Sequence, residues 1–183
     1  MMYDPLSRRR FVGTVAAGLA ATWIAGPGRA ELATAGRVLS PAQRRDLDAI
    51  AALILPTDDT PGAREAGVVE YMDRALASFA AEQRPLFDAG LRDLNLRVTR
   101  RHPAAGSFAD LGTGDAAALL RELDTEQSEF FEAVRVATIT GFLANPEYGG
   151  NAGKVGWKLL GFEDRFVWSA PFGWYDADTA PGQ

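Results

Sequence analysis

The chain has 183 residues, 19 basic and 24 acidic, with a formal net charge of −5, one histidine and no cysteine. The missing cysteine excludes disulfides, c-type haem attachment, cysteine-ligated iron–sulfur clusters and thiolate metal sites. A single histidine excludes paired-histidine metal or haem ligation, and the acidic balance argues against nucleic acid and anionic lipid as partners.

Ser7-Arg8-Arg9-Arg10-Phe11-Val12 runs straight into an apolar stretch, Val12 to Ala25, followed by Gly28-Arg29-Ala30. A twin arginine with a hydrophobic residue two positions on marks a twin-arginine (Tat) export signal, carried by Arg8, Arg9 and Phe11. The apolar stretch is shorter than the roughly 20 residues of a membrane span and suits the hydrophobic region of a signal peptide. Residues 1–30 hold four arginines and one acid, so their removal takes 19 basic and 24 acidic residues to 15 and 23, a net charge of −8. No later run reaches spanning length. The expected address is the periplasm, with any membrane association made through another subunit. Because the Tat route carries folded proteins, the expected cargo is a cofactor-bearing chain or the partner of one.

Ser40-Pro41 places a cap and a proline at the start of a helix whose apolar positions are Leu47, Ile50, Ala51, Ile54 and Leu55, and Pro56 stops it. Turn formers fill 57–67, with Asp58-Asp59 ordering the turn. Val68, Val69, Met72, Leu76 and Phe79 make a second stripe. A third helix runs from about Gln83 to Arg100 on Leu86, Phe87, Leu91, Leu94 and Val98, and His102-Pro103 breaks it. Thr113 or Asp115 caps a short helix with Ala118, Leu119, Leu120 and Leu123 facing inward. The longest helix is expected from Glu126 to Leu143, with Phe130, Phe131, Val134, Ala137, Thr138, Gly141 and Phe142 on one side and Gly141 open to close backbone approach. Asn145-Pro146 ends it. No run alternates with period two, so the expected fold is all-α: one domain of about five helices over residues 31–165.

Glu122, Glu126, Glu129 and Glu132 read as a solvated face, since a di-iron bundle needs Glu-x-x-His motifs that one histidine cannot supply twice. Gly149-Gly150-Asn151-Ala152-Gly153-Lys154-Val155 misses phosphate-loop spacing by one residue, lacks the hydroxyl and follows a helix. No dinucleotide-binding fingerprint is present, so no cofactor is expected in this chain. Six aromatics fall between Phe162 and Tyr175, where Pro171 and Gly173 forbid a helix. Such a tail marks an interface, and residues 166–183 are expected to dock on a partner.

Asn145-Pro146-Glu147-Tyr148-Gly149-Gly150-Asn151 followed by Gly156-Trp157-Lys158-Leu159-Leu160-Gly161-Phe162 resembles the signature of the gluconate 2-dehydrogenase subunit 3 family. Thr140-Gly141-Phe142-Leu143 fits the approach to that motif. Ile54-Leu55-Pro56-Thr57-Asp58, with Pro61-Gly62-Ala63 and Ala66-Gly67-Val68, resembles the family's N-terminal segment. At Phe162-Glu163-Asp164 the chain departs from the more familiar glycine-proline-rich turn. The resemblance implies a non-catalytic small (gamma) subunit beside a GMC-type flavoprotein that carries FAD and oxidises a sugar, polyol or aldonate. Often a multihaem cytochrome c subunit with haem c completes the complex. It also implies that the small subunit supplies the export signal through which the Tat translocase moves the folded pair. Partner contacts are then expected at Tyr148, Trp157, Phe166, Trp168, Phe172, Trp174 and Tyr175. Two rival readings stand beside it. One is a free-standing enzyme using acid–base chemistry on Asp58, Glu147 or Tyr148. The other is a periplasmic binding protein stacking a sugar on Trp157 and Tyr148.

Overall fold

A computed structural model describes residues 37–165, and among these residues the protein is all-α, with six helices and no strand. Ser40 caps α1 (Pro41–Ile54) through a reciprocal pair: its hydroxyl accepts from Gln43 N at 3.3 Å, and Gln43 Oε1 accepts from Ser40 N at 2.9 Å. These bonds satisfy two backbone donors that a helix start leaves open, and Pro41 removes a third. The loop to α2 (Val68–Ala77) is ordered by its own side chains. Asp58 accepts from Thr60 N and Oγ1, both at 2.9 Å, and Glu65 accepts from Thr57 Oγ1 at 2.7 Å and Gly62 N at 2.9 Å. Asp58 therefore builds its turn, as its position between turn formers predicts.

The longest helix among the described residues is α3 (Arg84–Arg101, 18 residues), ending at His102. It buries Phe87, Leu91, Leu94 and Val98. α4 (Thr113–Thr125) starts at Gly112 with no side-chain cap, and it buries Ala116, Leu119, Leu120 and Leu123. Neither Thr113 nor Asp115 caps it. Ala118 faces solvent because the inward stripe begins two residues earlier, at Ala116.

α5 (Glu129–Leu143) begins three residues later than the sequence periodicity predicts and is shorter than α3. Glu126 belongs to the end of α4, and Gln127 takes a left-handed backbone, φ 54°. Ser128 then restarts the helix, its hydroxyl accepting from Phe131 N at 3.4 Å. Polar residues at 124–127 neither extend nor break an apolar stripe, so the pattern runs through a reversal that only backbone geometry makes. α5 buries nine of its 15 residues. It packs against α1, α2, α3, α4 and the sixth helix, α6 (Val155–Leu160).

Gly141 on α5 lies under the Tyr71 ring, and the backbone of Gly150 rests on its carbonyl. The close approach expected at Gly141 is thus made by the loop after α5. Gly150→Ala drives a methyl into that carbonyl and is expected to destabilise the body by about 1–3 kcal/mol. Gly114→Ala, in open space within the first turn of α4, is expected to leave stability within about 1 kcal/mol, on the stabilising side. Denaturant unfolding of the two variants checks this, and equal stability would refute the packing account.

Candidate docking face

The segment from Asn145 to Phe162 is a knot that fixes α6 to the end of α5. Asn145 Oδ1 accepts from Glu147 N at 3.1 Å and starts a short 3-10 turn (Pro146–Tyr148). Gly149 ends that turn at φ 98°, a conformation that L side chains rarely adopt. Asn151 is fully buried and left-handed, φ 47°. Its amide donates to Ala144 O at 2.9 Å and its Oδ1 accepts from Gly156 N at 2.8 Å. One side chain thus satisfies the exposed end of α5 and the start of α6, as a buried amide must. Gly156 sits against the Phe142 carbonyl with no room for a side chain. Ala152 N donates to Ala66 O at 2.9 Å, which ties the knot to the loop before α2. The residues that carry the sequence signature therefore shape backbone, and they hold an edge of the body in place.

That edge is α6. Trp157 is half-buried, and its indole N–H donates to Leu143 O at 2.8 Å. Phe162 packs edge-on against the Trp157 ring at 5.1 Å, and Lys154 Nζ lies 5.5 Å from the ring centroid. Phe162 N bonds Trp157 O at 2.8 Å and Gly161 N bonds Lys158 O at 3.2 Å, the paired closure of a glycine-terminated helix. Leu160 (44% exposed) and Phe162 (48%) stand out beside them. Of the expected partner contacts, Trp157 is at this edge but spends its polar atom within the chain. Tyr148 is half-buried and packs on the core. Leu160 was not singled out from sequence, because one leucine in Gly-Trp-Lys-Leu-Leu-Gly-Phe does not reveal which of the pair faces out. Phe166, Trp168, Phe172, Trp174 and Tyr175 lie outside the described residues, as do Arg8, Arg9 and Phe11.

Burial pushes the Tyr71 phenol well above its ordinary range, and the Tyr148 phenol nearby pushes it further. Asp58 is committed to its loop and Glu147 is exposed, with its carbonyl accepting from Arg74 at 3.3 Å. No group of three or more His, Cys, Asp or Glu side chains suited to a metal occurs among the described residues. Glu122 pairs with Arg101 and Arg97, Glu126 with Arg97, and Glu132 with Arg135, so these acids line ion pairs on the surface. No helix among the described residues is long and apolar enough to cross a membrane.

A run of charges along α2 links the entry of the chain to the knot. Asp73, 1% exposed, accepts from Val38 N and Leu39 N, both at 2.9 Å, and pairs with Arg44. Arg44 also meets Glu70 at 3.0 Å, Glu70 meets Arg74 at 3.2 Å, and Arg74 reaches the Glu147 carbonyl. Desolvation opposes ionisation of Glu70, but bonds from Arg44 and Arg74 outweigh it and hold its carboxyl below the ordinary value of 4.5. Asp46, equally buried, holds the other side: its carboxylate accepts from Asn95 Nδ2 at 2.7 Å and Ala109 N at 3.0 Å. The signal for both acids was present, since each falls among apolar positions of its helix: Asp46 four before Ile50, and Asp73 three before Leu76.

A family model described as Gluconate 2-dehydrogenase subunit 3 matches residues 41–164, from the first residue of α1 to just past α6. The aromatic tail lies beyond the matched span. No curated protein and no solved structure matches the chain.

Folded Glu70 binds its proton less tightly than the unfolded chain does, so acid favours unfolding. Its contribution is complete above the ordinary value and is lost as the pH falls below about 4.5. Melting temperature measured from pH 6 down to about pH 3.5 should fall less steeply for Glu70→Gln than for the parent. Asp73→Ala, which leaves Arg44 with Glu70 alone and strands two backbone donors, should cost about 2–4 kcal/mol at neutral pH.

Proposed function

The chain belongs to the gluconate 2-dehydrogenase subunit 3 family, which makes it an accessory subunit of a dehydrogenase complex, and on that premise we propose that it escorts and steadies a larger FAD-dependent, GMC-type subunit in the periplasm. The match over residues 41–164, spanning all six described helices, carries this reading. The larger subunit supplies the flavin and oxidises a CH–OH group of a sugar, an aldonate such as gluconate, or a glycoside at C3. Where a cytochrome subunit with haem c completes the complex, it takes the electrons.

The accessory chain contributes three things. Its twin-arginine leader addresses the folded pair to the Tat translocase. Its helical body, held by α5, provides a rigid support. The edge formed by Trp157, Leu160 and Phe162 leads directly into the aromatic segment from Phe166 to Tyr175, and together they form the anchor on the partner. Trp157 is pinned by its indole bond, so little ordering entropy is lost when it meets a second surface. Aromatic side chains are enriched among the residues that dominate interface affinity, and truncating such an anchor typically costs ~2 kcal/mol or more.

Truncation after Asp164 should leave the helical body folded and abolish copurification with the larger subunit. Melting of the body on truncation would instead assign the tail to the core. Separately, Arg8→Lys combined with Arg9→Lys should strand both subunits in the cytoplasm. Normal periplasmic dehydrogenase activity in that double variant would show that the partner exports itself or that export is not Tat-dependent.

A further inference from the structure

Residues 37–40 lie ahead of α1 and form no helix or strand, yet three consecutive backbone donors in them are met by side chains. Val38 N and Leu39 N both donate to Asp73 Oδ1 at 2.9 Å, and Ser40 N donates to Gln43 Oε1 at 2.9 Å. Asp73 is 1% exposed and lies on α2, 35 and 34 residues further along the chain. Its other oxygen is taken by Arg44, so the carboxylate is held from both sides. Leu39 is buried in the core. The Arg37 side chain, by contrast, is 72% exposed, 3.7 Å from Glu70.

A buried carboxylate is costly unless its partners stay in place. Two of those partners belong to this strap. Releasing residues 38 and 39 leaves Asp73 with Arg44 alone and uncovers Leu39 to water. The strap therefore opens against a penalty that a frayed chain end does not meet. Cleavage of a segment near a terminus depends on how far its backbone is buried and hydrogen-bonded. An extended peptide is recognised through main-chain bonds, as an added strand is. The donors of residues 38–40 are already committed and cannot make those bonds.

We propose that Asp73 is a latch that makes residues 37–39 part of the folded body, so that proteolytic processing at the N-terminus stops ahead of Val38. Processing is hydrolysis: water adds across one C–N peptide bond and leaves a new carboxylate and a new amine. A cut after Ala30, at the end of the export signal, leaves residues 31–36 between the new terminus and the latch. Ala30 is seven residues from Arg37, a reach of at most about 25 Å. The leader thus departs from a fixed point beside Glu70 of α2. Its part in this rests on the export reading proposed above, whereas the latch itself does not.

Limited trypsin digestion of the purified full chain, read by mass spectrometry, tests the latch, because trypsin recognises the Arg37–Val38 bond. In the parent this bond should be cut no faster than Arg97–Val98 within α3, where cutting requires the body to open. Asp73→Ala should speed cutting at Arg37–Val38 relative to Arg97–Val98 by about tenfold or more, as loss of hydrogen bonds to a charged group does. Leu39→Ala keeps both bonds to Asp73 and removes only the buried side chain, and it should raise the same ratio. Cutting of the parent at Arg37–Val38 ahead of Arg97–Val98 overturns the proposal. An unchanged ratio in folded Asp73→Ala overturns it as well, since the strap then opens only with the whole body. If Asp73→Ala does not fold, the ratio in Leu39→Ala decides in its place. None of these results bears on the export reading, which the paired Arg8→Lys and Arg9→Lys variant tests separately.

Discussion

Everything in this fold depends on the need to surround α5. With nine of 15 residues buried, it has apolar side chains in nearly every direction and cannot lie on a surface. Five other helices therefore pack around it, each covering one face. Phe130 meets Phe87 of α3 edge-on at 6.1 Å, and the glycine at 141 lets Tyr71 of α2 lie flat on the helix. Even Thr138, fully buried, returns its hydroxyl to the Val134 carbonyl at 2.7 Å and leaves no polar atom unmet. The centre is filled with side chains, which directs the chemistry of recognition to the outside.

Polar groups inside the body serve to place backbone. Asp73 grips the segment before α1, Asp46 and Asn95 grip the 3-10 turn at Phe108–Asp110, and Asn151 joins α5 to α6. Asp73, Asp46 and Asn151 are buried and Asn95 is half-buried, and each pairs with main-chain donors or acceptors, a geometry that leaves a stranded charge or amide if one partner is removed. The most distinctive stretch of sequence, Asn145 to Asn151, belongs to this class. Its glycines admit neighbouring backbones and its asparagine closes two helix ends.

In the proposed complex, an accessory subunit assembled this way presents surfaces to its partner that are fixed before they meet. The α6 edge carries apolar side chains already braced by an indole bond and a ring contact. Rigid presentation lowers the entropy lost on association.

The sequence by itself determined the class of fold, most helix boundaries and the family resemblance. These follow from spacing: apolar residues three and four apart, Ser40-Pro41 as a start, Pro56 and Asn145-Pro146 as stops. It also placed Asp58 in a turn and the acids of 122–132 on the surface. Tertiary structure decided what spacing cannot encode. Gln127 reverses the chain where the polar pattern runs on, so α5 starts at Glu129 and not at Glu126. Ala116 and not Ala118 faces inward, because the direction of a stripe is set by the neighbouring helices. Val155–Leu160 is a helix too short for its period to show, held by contacts from residues ten or more positions away. An acid at an apolar position of its helix signals burial on paper, but not that its partners are, as for Asp73, two backbone amides 34 and 35 residues distant. Period is a local property of the chain, whereas the partner of a buried charge is chosen only when distant segments meet.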